Sequence, residues 1–230
     1  MSFFELNGIN IAVKRSARRK TMALKVRGDE VSLHLPKRVP LWLGKQFVAK
    51  QQDWLKARLL MTGQQAKRVF NAKSAQPYLG NDYPLRLDPG LKQRRQLIFK
   101  DQQFNLKLPA DSHADVIKNA FLRGYRQLAE VYLPDRCQQL ADLTGLQPKQ
   151  IQLRSYKARW GSCNARGEVQ LNWLLIQAPP QVIDYVIIHE LCHLQQMNHS
   201  VNFWQLVEQF TADYRVHRDW LKQHGQLLML

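Results

Sequence analysis

The segment Val186-Ile187-Ile188-His189-Glu190-Leu191-Cys192-His193-Leu194 holds a His-Glu-x-x-His pattern inside an otherwise apolar run. On a helix the two histidines are four residues apart and lie within about 40° of each other around the axis, so both imidazoles face one ion. Glu190 falls about 60° further round from His193, near enough to reach a bound water without becoming a ligand. Histidine suits this task because its neutral nitrogen leaves a divalent ion net positive. Zn²⁺ held in that way acidifies its water and polarises a carbonyl, and a carboxylate must still take and relay the proton. A catalytic zinc uses three protein ligands and leaves one position open. His199 is the expected third ligand, presented as the chain turns through Asn198, a residue that tolerates a left-handed helix end. Glu208 on a following helix is the alternative.

Other candidates surround this core. Arg159 is a candidate for binding an anionic group or an oxyanion. Trp160 and Trp173 could wall a substrate cleft or fill a core, and Asn172, next to Trp173, is a further candidate for binding substrate. Tyr214 and His217 are candidate oxyanion donors. Cys137, Cys163 and Cys192 form no Cys-x-x-Cys pair and read as small core fillers rather than ligands.

The elements that must position these groups change character along the chain. Residues 9–13, 21–26 and 31–35 read as short strands, with Gly28-Asp29 at a hairpin turn. A helix is expected from Pro40 to about Met61, then a linker over 64–76. Strands return at 83–87, 96–99 and 103–108, with a turn at Asp88-Pro89-Gly90, and the six strands are expected to form one sheet-rich region. Ala114 to Leu143 has the apolar period of a long amphipathic helix, bent at Pro134. Strands at 151–153 and 168–171 flank a polar turn. The motif helix runs from about Gln181 to Met197 behind Pro179-Pro180, Ser200 caps another, and a last helical piece passes through Trp220 and Leu221. No repeat of solenoid or propeller period is evident. The expected organisation is a basic β-rich region with one helix over 1–110 and a catalytic region over 111–230.

The 230 residues carry a formal charge of +16. Sixteen lysines and arginines stand against four acids in residues 1–75, a net +12, which leaves +4 for the rest. Such an asymmetry suits an anionic partner, nucleic acid or nucleotide, through the N-terminal region. An odd number of cysteines, no secretory leader and no uninterrupted apolar span point to the cytoplasm and away from membranes.

Arg159-Trp160-Gly161-Ser162-Cys163, Gln170-Leu171-Asn172-Trp173, Asp184 to His193, Asn198-His199-Ser200 and Phe203-Trp204 together resemble the YgjP-like metallopeptidase family, itself similar to SprT-like and WLM zinc proteases. That resemblance implies an α+β zincin-like domain, one Zn²⁺ per chain on His189, His193 and His199, Glu190 as acid/base, and a peptide or protein substrate. The six-residue step from His193 to His199 is also similar to metzincins, although Gln196 replaces their glycine. By the zincin resemblance, 168–172 would be an edge strand that pairs with extended peptide. Two other readings compete. A metal-dependent hydrolase of an anionic small molecule such as a nucleotide phosphoanhydride would use the same ion, but no Gly-rich phosphate loop is present. A nucleic-acid-binding protein with structural zinc would need a fourth ligand.

Overall fold

The computed structural model describes residues 2–27, 30–63, 69–89, 96–109 and 111–229. The chain forms two compact units, Met1–Val69 and Phe70–Leu230. Each is a mixture of sheet and helix.

In the first unit, strands β1 (Ser2–Leu6), β2 (Ile9–Ser16), β3 (Ala23–Arg27) and β4 (Glu30–Pro36) make one sheet in the order β1-β2-β4-β3. β2 and β4 are parallel, and the other pairs antiparallel. Strand β1 was not foreseen, yet its signal is present. Asn7 and Gly8 both take positive φ (51° and 77°), the two-residue hairpin turn that Asn-Gly favours. The β4 sequence alternates, burying Val31, Leu33 and Leu35. The helix expected over 40–61 is two, α1 (Leu41–Lys50) and α2 (Gln52–Gly63), broken at Gln51. Gly44 lets α1 sit on the sheet, since a Cβ there would lie 2.9 Å from Leu33. The Gly28-Asp29 turn falls outside the described residues.

The second unit begins with β5 (Ala75–Tyr78), β6 (Asn81–Pro89), β7 (Gln96–Lys100) and β8 (Gln103–Leu108), in the order β5-β6-β8-β7. Residues 75–76 are thus strand, not linker. Residues 64–68 of that linker, and Gly90 of the expected turn, lie outside the described residues. The six expected strands fall in two sheets, and the compact units part at Val69/Phe70 rather than at 110/111. The reason is packing. β5–β8 close on helix α3 (Ala114–Thr144), with Phe104 against Phe121 at 5.2 Å, Tyr125 donating to the Pro77 carbonyl, and Gly124 pressed on Leu97.

Both four-stranded sheets have the same strand order and the same parallel centre. Each ends in Leu-x-Leu-Pro, Leu33 to Pro36 and Leu106 to Pro109, shortly before a helix. The two segments are a structural duplication.

A second, three-stranded sheet follows, with β9 (Gln150–Arg154), β10 (Gly161–Cys163) and β11 (Glu168–Asn172) in the order β10-β11-β9. A 3₁₀ turn (Trp173–Gln177) leads to α4 (Pro180–Cys192), α5 (Val201–Phe210) and α6 (Tyr214–Leu228). Strand β11 is therefore central, paired on both sides, and cannot be the edge strand expected of 168–172. The free edge on the site side belongs to β10. No helix among the described residues is long and apolar enough to cross a membrane.

Candidate metal centre

Pro180 opens α4 at a position where its missing N–H costs nothing. Val182, Ile183, Val186, Ile187 and Leu191 are then buried, which fixes the rotation of the helix. Arg136 of α3 grips Asp184 with two bonds, Nε to Oδ1 at 2.7 Å and Nη2 to Oδ2 at 2.8 Å, so the helix is also held along its axis. With α4 set, His189 and Glu190 can point only one way.

The helix ends sooner than expected. His193 is its C-cap, and the backbone tightens there through Leu194 N–H to Leu191 O and Gln195 N–H to Cys192 O. Asn198 does not take the left-handed conformation expected of it. The turn still delivers His199 immediately before Ser200, whose Oγ accepts the Phe203 N–H at 3.4 Å as the N-cap of α5.

These steps bring His189, His193 and His199 together, with one ligating atom from each within 4.8 Å of the others. His199 Nε2 and His189 Nε2 are 3.1 Å apart, close to the roughly 3.3 Å between two nitrogens that bind one tetrahedral zinc at about 2.0–2.1 Å. His193 Nδ1 bonds the Gln196 carbonyl at 2.9 Å, which orients the ring and leaves its Nε2 free to ligate. Burial, and then the two neighbouring imidazoles, push the His189 pKa down to about 3. Burial also lowers that of His193. Both are thus held in the neutral form a metal requires. His189 Nδ1 is buried without a hydrogen-bond partner. Its ring is instead fixed by packing, with Phe203 at 4.9 Å, Trp204 at 5.8 Å and Tyr185 at 6.0 Å. Phe203 also stacks on His193 and Trp204 on His199. The donor set fits a divalent ion. Glu208 is exposed on α5 and no member of the cluster, nor is any cysteine.

Glu190 is only 6% exposed. Burial pushes its carboxyl up to about 8, against the opposing pull of the Arg159 guanidinium and a backbone N–H bond from Cys163. That bond follows from register. Asn172 N–H bonds Trp160 O and Asn164 N–H bonds Glu168 O, so residues 160, 162 and 164 carry the ladder to β11. The backbone groups of Gly161 and Cys163 face the other way. Gly161 lies against the carboxylate itself, where a Cβ would meet the Glu190 Cγ and Oε1 at 2.6 Å.

Two adjoining hollows open here. One, about 310 Å³, is lined by Arg159, Gly161 to Cys163, Glu190, Met197 and the three histidines. The other, about 250 Å³, is walled by Trp160, Tyr185, Val186 and Leu221 and shares Arg159, Gly161, His189 and Glu190. Arg159 and Trp160 are therefore at the site. Trp173 is not: it is buried against Tyr125 and bonds Ser155 Oγ at 2.9 Å. Asn172 is fully buried and donates to the Tyr156 and Arg159 carbonyls, each at 3.1 Å. It holds the loop that carries Arg159. Tyr214 is stacked under Trp204, and His217 lies beside Tyr185 at 6.3 Å; neither lines a hollow. Tyr185 and Gly161 were missed, although Tyr185 stands four residues before His189 on the same helix face.

The family profile described as YgjP-like, metallopeptidase domain matches residues 20–224. No curated protein matches the sequence significantly. A solved structure, the metallopeptidase zymogen of Pyrococcus abyssi abylysin, is 23% identical and aligns over 41% of this chain and 95% of that one, with a TM-score of 0.38. Since the family match covers most of the chain, from just before β3 into α6, the chain belongs to the YgjP-like metallopeptidases.

Proposed function

We propose that this metallopeptidase is a zinc peptidase with Glu190 as general base. The supporting observation is the convergence of three imidazoles, one buried carboxylate and the outer edge of strand β10 on the same hollow. A Zn²⁺ held by His189, His193 and His199 would supply an acidified water and a polarised carbonyl. Glu190 takes the proton and returns it to the leaving amine. The outward backbone groups of Gly161 pair with extended substrate, as strand addition requires. Arg159 faces the developing oxyanion in place of Tyr214 or His217.

A peptide fits better than a nucleotide, because Arg159 is the one lysine or arginine lining either hollow among the described residues. Structural zinc is disfavoured, because only three ligating groups cluster there among the described residues. The three cysteines are free thiols, which suits a cytoplasmic enzyme.

The test joins metal content to hydrolysis. Wild type purified without added metal is expected to hold about one zinc per chain, lost in His189→Ala, His193→Ala and His199→Ala. Glu190→Gln is expected to keep the zinc and lose about 10²–10⁴-fold in cleavage of unfolded casein. Full activity in Glu190→Gln would overturn the base assignment.

A further inference from the structure

Part of the basic excess of the first unit gathers at one pole. β2 and β4 are parallel and end side by side, so the loop after β2 and the loop after β4 emerge together. They are tied by Lys37 N–H to Ser16 O at 3.1 Å and by Arg15 Nη1 to the Lys37 and Val39 carbonyls at 3.0 and 2.7 Å. Arg18, Arg19 and Lys20 thus lie at the same end of the sheet as Lys37 and Arg38. All but the half-buried Arg19 are exposed, and none forms an ion pair among the described residues. The described acids of the sheet, Glu5 and Glu30, lie toward the opposite end, at the β1–β2 and β3–β4 turns. Five neighbouring cations with no acid between them cost self-repulsion, which a bound polyanion relieves.

An aromatic ring stands next to them. The second loop runs directly into α1, and Trp42 in its first turn is 60% exposed. The outward stripe continues through Lys45, and α1 contains no acid. Cations that track a phosphate backbone beside an exposed ring on which a base can stack are the elements of single-strand recognition. A duplex keeps its bases stacked and would leave the ring unused. A membrane surface would need an apolar stripe, and the remaining outward positions of α1 are Gln46, Ala49 and Lys50.

We propose that this pole binds single-stranded nucleic acid, with phosphates on the two basic loops and a base on Trp42. The inference does not depend on the peptidase reading.

The test is fluorescence anisotropy of the full chain with labelled oligouridine and oligothymidine of about 12 nucleotides, within the ~4–16 that one such site covers, across a salt series. Arg18→Ala/Arg19→Ala/Arg38→Ala is expected to weaken binding more than tenfold and to reduce the salt slope by about 2, at about 0.7 per phosphate contact. Trp42→Ala is expected to weaken it with the slope unchanged, and Trp42→Phe to restore it. Lys100→Ala/Lys107→Ala/Lys118→Ala removes as much charge from exposed positions of the second unit and should leave affinity within twofold. A preference between the two oligomers would separate RNA from DNA. Equal loss in both triple variants, no binding at all, or stronger competition by duplex, polyglutamate or anionic vesicles than by unlabelled single strand would overturn the proposal.

Discussion

Glu190 and Gly161 are best understood as a pair. The carboxylate is buried against the glycine Cα and bonded by the Cys163 N–H, so position 161 has no room for a side chain. Gly161→Ala should displace Glu190 while the histidines stay in place. The expected result is at least a hundredfold loss of peptide cleavage with metal content unchanged, measured on one purified sample; loss of metal instead would show that the strand itself had moved. Burial has a second consequence, visible without metal. The Glu190 pKa is raised to about 8 from an ordinary 4.5. Below pH 4.5 both folded and unfolded chains hold the proton and there is no penalty. As the pH climbs toward 8 the unfolded chain ionises first, and stability is lost. Metal-free Glu190→Gln should therefore gain in Tm over wild type across that window and hold a constant lead above it. Parallel Tm curves would refute the burial argument.

At the scale of elements, the three-histidine cluster depends on how two helices are joined. α4 gives His189 and its C-cap His193, and the six residues that follow bring His199 to the N-cap of α5. Ser200 is then both the cap and the neighbour of a ligand. Ser200→Ala should cost about 1 kcal/mol of stability, as such caps do. It should also weaken zinc affinity about fivefold, the same free energy expressed as binding, as a chelator-buffered titration would show. Unchanged affinity would mean that His199 is placed by its stacking on Trp204 alone. Phe203 and Trp204 stand out in the sequence only through the family resemblance, because nothing in their spacing reveals that they stack on imidazoles ten and five residues away. Asn172 and Trp173 show the opposite failure. Polar and aromatic side chains near a motif suggest a cleft, but a buried amide that caps and ties a loop has the same letter in the sequence.

For the whole molecule, the duplication separates two uses of one design. The first copy stands as a unit with its own small core around Leu33, Leu35 and Val48, and the second is absorbed by α3 into the larger unit. A fragment spanning residues 70–230 should therefore fold alone and bind zinc. Its Tm should fall on chelation, by the equivalent of about 2.7 kcal/mol where free metal stood at 100 times Kd. An insoluble fragment, or one whose Tm ignores chelator, would mean that the unit boundary is not a folding boundary.

The sequence by itself determined the three-histidine cluster, the carboxylate beside it and most of the helices, because His-Glu-x-x-His and the 3.6-residue apolar period are local patterns. Even strand β1 and the repeated Leu-x-Leu-Pro were present to be read. Only tertiary structure decided that β10 and not β11 is the open edge, that Trp173 is core while Tyr185 lines a hollow, and that the units part at residue 69. Strand order, burial and unit boundaries are set by contacts between residues far apart in the chain, and no local spacing encodes which partner wins.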